Sequence, residues 1–437
     1  MKVAIIGLGF VGLSLAAYLG SKKIKVTGID LDNEKLQSIK KGIPPFYENK
    51  LKSYLKKAID FGTTFESEIT KKTIENDLIF VTVGTPIDKN NKINLKFIKS
   101  VANSLENNMH DTKHKPTIII KSTVVPGTTI HTVKPILERN SLKESVNFNL
   151  LTNPEFLKEG TAMEDTINPH AIIIGGTNYT SINKLLKFYQ KIYSKKNQII
   201  KTNNSTAEMI KYANNSFLAT KISFINSLAI ICQKIEGVNV DEVARVMGLD
   251  PRISKQFLKA GPGYGGSCFP KDLQALISFS NSVGYKPELL TAVHNTNNNQ
   301  IKIIMDLITK NISILKNAKI GILGLAFKEN TDDIRESVSV NLIKLLLKKK
   351  CKIIAHDPMA IENTSQIFKN KITFVTKPEL VCTDTDCIIL LTPWKEYQLI
   401  KEKNFLKMKK PLIIDTRRIL KIKNKKIKYI GLGMGKE

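Results

Sequence analysis

The chain has 437 residues, a formal net charge of +28 and 42% hydrophobic residues. That length exceeds one ordinary core and predicts two or three domains, and the apolar fraction excludes general disorder. Lys and Arg total 67, yet the lysines spread along the whole chain without an interleaved aromatic patch, which reads as drift toward A/T-rich codons rather than a nucleic-acid surface.

In chain order, KVAIIG (2–7) predicts a strand running into GLGFVG, Gly7 to Gly12, which opens a helix. A lysine followed by apolar residues resembles a signal peptide, but the glycine spacing and the lack of a small-residue cleavage site favour strand, turn and helix. Further strands are predicted at IKVTGID (24–30), DLIFVTVG (77–84), TIIIKST (117–123) and AIIIGG (171–176). Their alternation with helices is the pattern of a parallel sheet. From about residue 203 to Gly237 there is neither proline nor glycine, and apolar residues recur at helical spacing. This predicts one long helix that bridges domains or packs on a partner subunit. Ser205 with Glu208 reads as a capping box. Helices continue to about residue 312, interrupted by GPGYGGSCFPKD (261–272), and strands return at 319–327, 351–357, 386–394 and 411–417. The predicted architecture is α/β: two Rossmann-like doubly wound domains, 1–202 and 313–437, joined by an all-helical region, 203–312. No continuous apolar run reaches the ~18–20 residues of a membrane span, so no membrane association is expected.

Four patterns carry chemistry. Gly7, Gly9 and Gly12 suit a dinucleotide pyrophosphate at a helix N-terminus, and Asp30 ends the next strand where an acid accepts ribose hydroxyls and repels a 2′-phosphate. NAD is therefore the expected cofactor. Cys268 sits in a glycine-rich loop beside Lys271, a cation that would favour the nucleophilic thiolate. Glu155 and Glu159 follow a proline turn, and burial would raise a carboxyl toward the range useful for a base. Lys211 and Asn215 share one helix face and suit an oxyanion. The five cysteines are irregularly spaced, which argues against a disulfide framework and for a reducing cytoplasm. No metal site is expected.

These pieces, with TVGTP (82–86), KSTVVPGT (121–128), NPEFLKEG (153–160), EMIKYANNSFLATKISFIN (208–226), LGLAFKENTDDIRES (323–337), HDP (356–358) and DTR (415–417), occur in one order along the chain. Together they closely resemble the UDP-glucose/GDP-mannose dehydrogenase family. The cysteine loop GYGGSCFPKD is similar to the UDP-glucose branch: GDP-mannose members tend to have leucine where Phe269 stands, and N-acetylmannosamine members histidine where Ser267 stands.

The resemblance implies a four-electron oxidation of a UDP-sugar at C6, through a thiohemiacetal and a thioester on Cys268. It implies oxyanion stabilisation by Lys211 and Asn215, an acid/base role for Glu155, and water positioning by Thr123 and Asp272. It implies cofactor contacts from Phe10 and Val11 of the glycine turn and from Asp30, Lys35, Thr85, Thr123, Glu159 and Arg335. Substrate contacts carry over to Glu155, Phe156, Leu157, Lys158 and Glu159, to Lys211 and Asn215, and to Phe257, Leu258, Lys259, Ala260 and Gly261. Gly265, Lys328 and Arg417 belong to the same set, and Arg252 matches a residue that reaches a neighbouring subunit's substrate. The long helix implies at least a dimer. Two departures stand out: His356 replaces a usual tyrosine, and Thr416 a usual glycine beside Arg417. Three readings stay open: the same chemistry on a UDP-N-acetylhexosamine or GDP-mannose, a two-electron hydroxyacid dehydrogenase, which needs neither Cys268 nor a third domain, and a basic NAD- or nucleic-acid-binding protein that is no enzyme and does not need the Cys268 thiol.

Overall fold

The central strands of the first 214 residues are buried on both faces, as a sheet covered by helices on each side requires. The computed structural model describes residues 1–110, 112–193 and 197–435, and the chain divides into two compact units, Met1–Asn214 and Asn215–Glu437. Among the described residues the first unit holds eight strands: β1 (Lys2–Ile6), β2 (Lys25–Ile29), β3 (Thr64–Glu66), β4 (Leu78–Val81), β5 (Thr117–Ile120), β6 (Asn149–Thr152), β7 (Ala171–Gly175) and β8 (Gln198–Thr202). Their order is β3-β2-β1-β4-β5-β6-β7-β8, the doubly wound arrangement with two strands added. Only β6 and β7 meet antiparallel, through the single pair Thr152 and Gly175. Strands β3, β6 and β8 escape the sequence reading because each is short or lacks a continuous apolar run.

The turn after β1 needs its glycines. Gly7 has φ +96°, and a side chain there would meet Val83 at 2.9 Å. A Cβ on Gly12 would lie 1.9 Å from the Gly7 carbonyl oxygen, so only glycine lets the first helix, Phe10–Ser21, start against the turn.

The long helix runs Asn204–Cys232. Its cap differs from the expected box. Asn203 Oδ1 accepts the Thr206 N–H at 2.8 Å. Glu208 instead accepts from the Gly127 N–H at 2.6 Å and from the Thr129 N–H and hydroxyl at 2.8 and 2.6 Å. Three donors from a loop outcompete the one helical N–H that a capping box offers. Burial holds the Glu208 carboxyl above the usual carboxylate range, although those donors pull the other way. By length and composition this helix is apolar enough to cross a membrane, contrary to the count of continuous apolar residues. Some of its buried polar atoms have protein partners, however: beyond Glu208, Asn226 Oδ1 accepts the Gly261 N–H at 2.8 Å. That is how a core helix satisfies polar atoms.

The second unit carries the rest of that helix, the helices Phe269–Ser282 and Glu288–Asn311, and strands β9 (Lys319–Leu323), β10 (Lys352–His356), β11 (Thr373–Phe374), β12 (Cys387–Leu390), β13 (Leu412–Asp415) and β14 (Lys428–Gly431). The order β11-β10-β9-β12-β13-β14, parallel throughout, repeats the 3-2-1-4-5-6 pattern. The repetition reaches single bonds. Gly7 N donates to the Ile29 carbonyl at 2.7 Å, and Gly324 N to that of His356 at 2.9 Å. The departing residue His356 is buried, its Nδ1 3.2 Å from the Tyr397 hydroxyl.

Glu208→Gln keeps the shape but replaces one acceptor oxygen with a donor facing N–H groups. A loss of about 1–3 kcal/mol is expected. It should lower the thermal unfolding midpoint by several degrees in calorimetry, and an unchanged midpoint would show that these bonds contribute nothing net.

Candidate active site

In the first unit, Asp30 follows β2 and faces the glycine turn. Its carboxylate accepts the Leu8 N–H at 2.7 Å and pairs with Lys35 at 2.9 Å, and its side chain keeps 12% exposure. The residues fit a dinucleotide. A Cβ at Gly9 would meet nothing within 4 Å, so open space lies at the bare N-terminus of the helix that begins at Phe10, where phosphate is favoured. Thr85, buried, donates to the Thr123 carbonyl at 2.7 Å, tying together two of the expected cofactor contacts. Asp357, the counterpart of Asp30 in the second unit, has a different fate. It is 1% exposed and receives the Leu325, Ala326, Met359 and Ala360 N–H groups and the Trp394 indole. Such a saturated carboxylate holds its turn and has no lone pair to offer a ribose.

Glu155 follows β6 after Pro154. It is 8% exposed and pairs at 3.0 Å with Lys211, itself 3% exposed. The expected upward shift of its pKa does not occur. Burial pushes the carboxyl up, but Lys211, the Leu157 N–H and Lys121 outweigh burial and hold it below the usual carboxylate range. Opposite charge at contact distance wins over desolvation here. Lys211 also lies 5.5 Å from the Phe156 ring centre, and Phe156 stacks 5.1 Å from His170. Lys158 is exposed and points to Asp165 at 3.6 Å. Leu157 and Glu159 are half-buried on the same turn.

In the second unit, Cys268 is the residue immediately before the helix Phe269–Ser282. It is half-buried, whereas Cys232, Cys351, Cys382 and Cys387 are buried. Asp272, one turn into that helix, accepts from Asn215 Nδ2 at 2.7 Å. Lys271 Nζ binds Asp272 Oδ1 at 2.5 Å. The feature that favours a thiolate at Cys268 is the helix N-terminus. Gly266 N donates to the Arg335 carbonyl at 2.9 Å. A Cβ on Gly265 would lie 2.3 Å from the Glu336 carbonyl oxygen, so the cysteine loop and the segment bearing Lys328 and Arg335 need glycine between them. The Arg335 side chain is half-exposed and bidentate on Asp333.

Arg417 is brought against the helical segment, since a Cβ on Gly261 would meet its Nη1 at 2.6 Å. Burial, then the charge of Arg418, lowers its pKa to about 10. The unusual Thr416 does not disturb this, because its hydroxyl turns inward onto the Leu390 carbonyl at 2.7 Å. Leu258 and Ala260 are buried, Lys259 is exposed and Phe257 is held at φ +63°. Strain of that kind gathers at ligand clamps. Arg252 remains apart, 87% exposed and paired with Asp250. Two groups were missed in the sequence. Arg418 joins Asp241, Ala260 and Leu432, and Lys121, half-buried, lines one cavity with Glu155. Lys121 opens the KSTVVPGT motif, two residues before Thr123, and Arg418 directly follows the DTR motif, next to Arg417.

Asp30→Ser removes a charged acceptor from the ribose position. Titration calorimetry should show NAD+ weakened about 10- to 100-fold and its preference over NADP+ narrowed. Equal losses for both cofactors would show that Asp30 acts only through the turn.

Three family models match in succession: the NAD binding domain of the UDP-glucose/GDP-mannose dehydrogenase family at residues 1–193, its central domain at 205–299 and its UDP binding domain at 321–422. The UDP-glucose 6-dehydrogenase TuaD of Bacillus subtilis is 38% identical over 96% of this chain and 90% of its own. A UDP-glucose dehydrogenase structure from Pyrobaculum islandicum superposes with a TM-score of 0.91 at 31% identity, covering 99% of this chain and 98% of that one. A UDP-D-ManNAc dehydrogenase structure from Pyrococcus horikoshii gives 0.87 at 26% identity, covering 99% of both. The chain is a member of the UDP-glucose/GDP-mannose dehydrogenase family, an NAD-dependent enzyme with that family's NAD-binding domain at its start.

Proposed function

We propose that this enzyme oxidises C6 of UDP-glucose to the carboxylate, yielding UDP-glucuronate for polysaccharide synthesis, with Cys268 holding the half-oxidised sugar covalently. The observation that carries the reading is a half-buried thiol at a helix N-terminus, one turn from an Asp272 carboxylate fixed by Asn215. A simple alcohol dehydrogenase needs no such group.

When bound, NAD+ accepts a hydride in each of two oxidations and is held by the glycine turn, Asp30 and Thr85. Lys211 and Asn215 stabilise the oxyanion that develops on C6. The Cys268 sulfur adds to the carbonyl carbon, and the carbonyl oxygen takes a proton, so the aldehyde cannot escape. Loss of the second hydride, with the hydroxyl proton passing to solvent as in the first oxidation, leaves a thioester. Thr123 and Asp272 position a water, Glu155 takes its proton, and the C–S bond breaks with the thiolate leaving. A Glu155 ionised at neutral pH is able to accept that proton. Arg417 beside Gly261, with Phe257 to Ala260, Gly265 and Lys328, holds the UDP-sugar.

A homodimer and a cytoplasmic setting belong to the proposal. Phe217, Phe224 and Ile231 are 65%, 50% and 53% exposed and recur every seventh residue along the long helix. Such an apolar stripe suits a second helix. All five cysteines are free, which suits a reducing compartment.

Two NADH per UDP-glucuronate is the expected stoichiometry, and one NADH per sugar would refute it. Cys268→Ser should abolish steady turnover, and a fully active variant would sink the covalent mechanism. If NADH forms with a UDP-N-acetylhexosamine but not with UDP-glucose, the substrate assignment fails while the family chemistry stands. Phe217→Asp with Phe224→Asp should halve the mass in sedimentation; an unchanged mass would rule out this face.

A further inference from the structure

Glu155 sits on a turn that is gripped from behind. Lys121, directly after β5, donates through Nζ to Asn153 Oδ1 at 3.0 Å and to the Asn153 carbonyl at 3.5 Å. Asn153, 1% exposed, is tied on every side. Its N–H donates to the Ile120 carbonyl at 2.8 Å and its Nδ2 to the Ile173 carbonyl at 2.6 Å. Its Oδ1 also accepts the Tyr189 hydroxyl at 2.5 Å. Strand β5, strand β7 and the helix Tyr179–Ile192 thus converge on one asparagine, two residues before Glu155. Main-chain pairing between β6 and β7 is limited to one position, so these side-chain bonds fix where β6 ends.

Lys121 also lines the same cavity as Glu155, together with Asp165, His170, Tyr189 and Tyr193. Glu155 therefore feels two ammonium groups, Lys211 at contact distance and Lys121 across the cavity. Burial, together with repulsion from Lys211, brings the Lys121 pKa down to about 8 against the pull of Glu155, so the cation survives at neutral pH.

We propose that Lys121 is a positioning residue for Glu155: through Asn153 it fixes the turn, and as a second cation it keeps the buried carboxylate ionised. The kinetic consequence rests on the role given to Glu155 above; the electrostatic one does not.

The test follows the Glu155 carboxyl directly. Infrared difference spectra of each full-length protein minus its Glu155→Gln counterpart record the protonated-carboxyl band against pH. Removing a cation disfavours the carboxylate, so Lys121→Met should move the midpoint upward by about one unit. Lys121→Arg should restore it. Tyr189→Phe, which loosens Asn153 without changing charge, should leave it in place. An unmoved midpoint in Lys121→Met overturns the proposal. If that variant does not fold, Lys121→Gln, which still donates to Asn153, carries the same expectation and the same overturning result. At pH 7, Lys121→Met should lower kcat about tenfold with KM little changed, and the acid limb of kcat should move with the infrared midpoint. A midpoint that moves while the acid limb stays put would sustain the Lys121 proposal and refute the role of Glu155 in hydrolysis.

Discussion

A carboxylate and an ammonium buried against each other, Glu155 and Lys211 at 3.0 Å, constrain much of the first unit. Neither charge is tolerable alone at that depth, since leaving one unpaired costs about 3–5 kcal/mol. The pair therefore requires the turn after β6 and the start of the long helix to be fixed together. Glu208, one turn before Lys211, meets the same requirement from the other side by binding the loop at Gly127 and Thr129. The helix is thus anchored by charge-assisted bonds at Glu208 and, one turn on, at Lys211 itself.

The two sheets are one plan used for two ends. Both begin with a strand, a left-handed glycine and a strand ending in Asp, and both bond that Asp to the turn. In the first unit the Asp30 carboxylate stays partly exposed beside open space at Gly9. In the second, five donors saturate Asp357, and the segment 324–337 replaces the immediate helix. That segment packs on the cysteine loop, with the Arg335 carbonyl taking the Gly266 N–H. The same local motif fits a cofactor in one unit and supports the cysteine loop in the other because different neighbours fill the space above the turn.

Arginine use follows the same logic of burial and planarity. Six arginines stand among 67 basic residues. Arg417 and Arg418 lie side by side in the interior, one 2.9 Å from the Leu391 carbonyl and the other forked onto Asp241. A guanidinium is less strongly hydrated than an ammonium and satisfies several acceptors in one plane, so it tolerates such places where lysine does not. The many lysines stay mainly at the surface. Lys211, buried, and Lys121, half-buried, are exceptions, and both act on Glu155.

What the sequence by itself determined is whatever acts over a few residues. Positive φ at Gly7, apolar runs at 2–7 and 117–123, the helix without proline or glycine, and a cysteine flanked by glycines are all local signals, and ordered along the chain they specified the fold class and the family. Short strands such as Asn149–Thr152 were too brief to register. Only the tertiary structure decided which charge meets which. Glu208 finds its partner 81 residues away; Lys271 pairs with Asp272; Glu155 is held ionised although buried. The reason is that a long-range Coulombic or hydrogen-bonded partner is chosen by distance and desolvation in the folded chain, and neither quantity is written in sequence spacing.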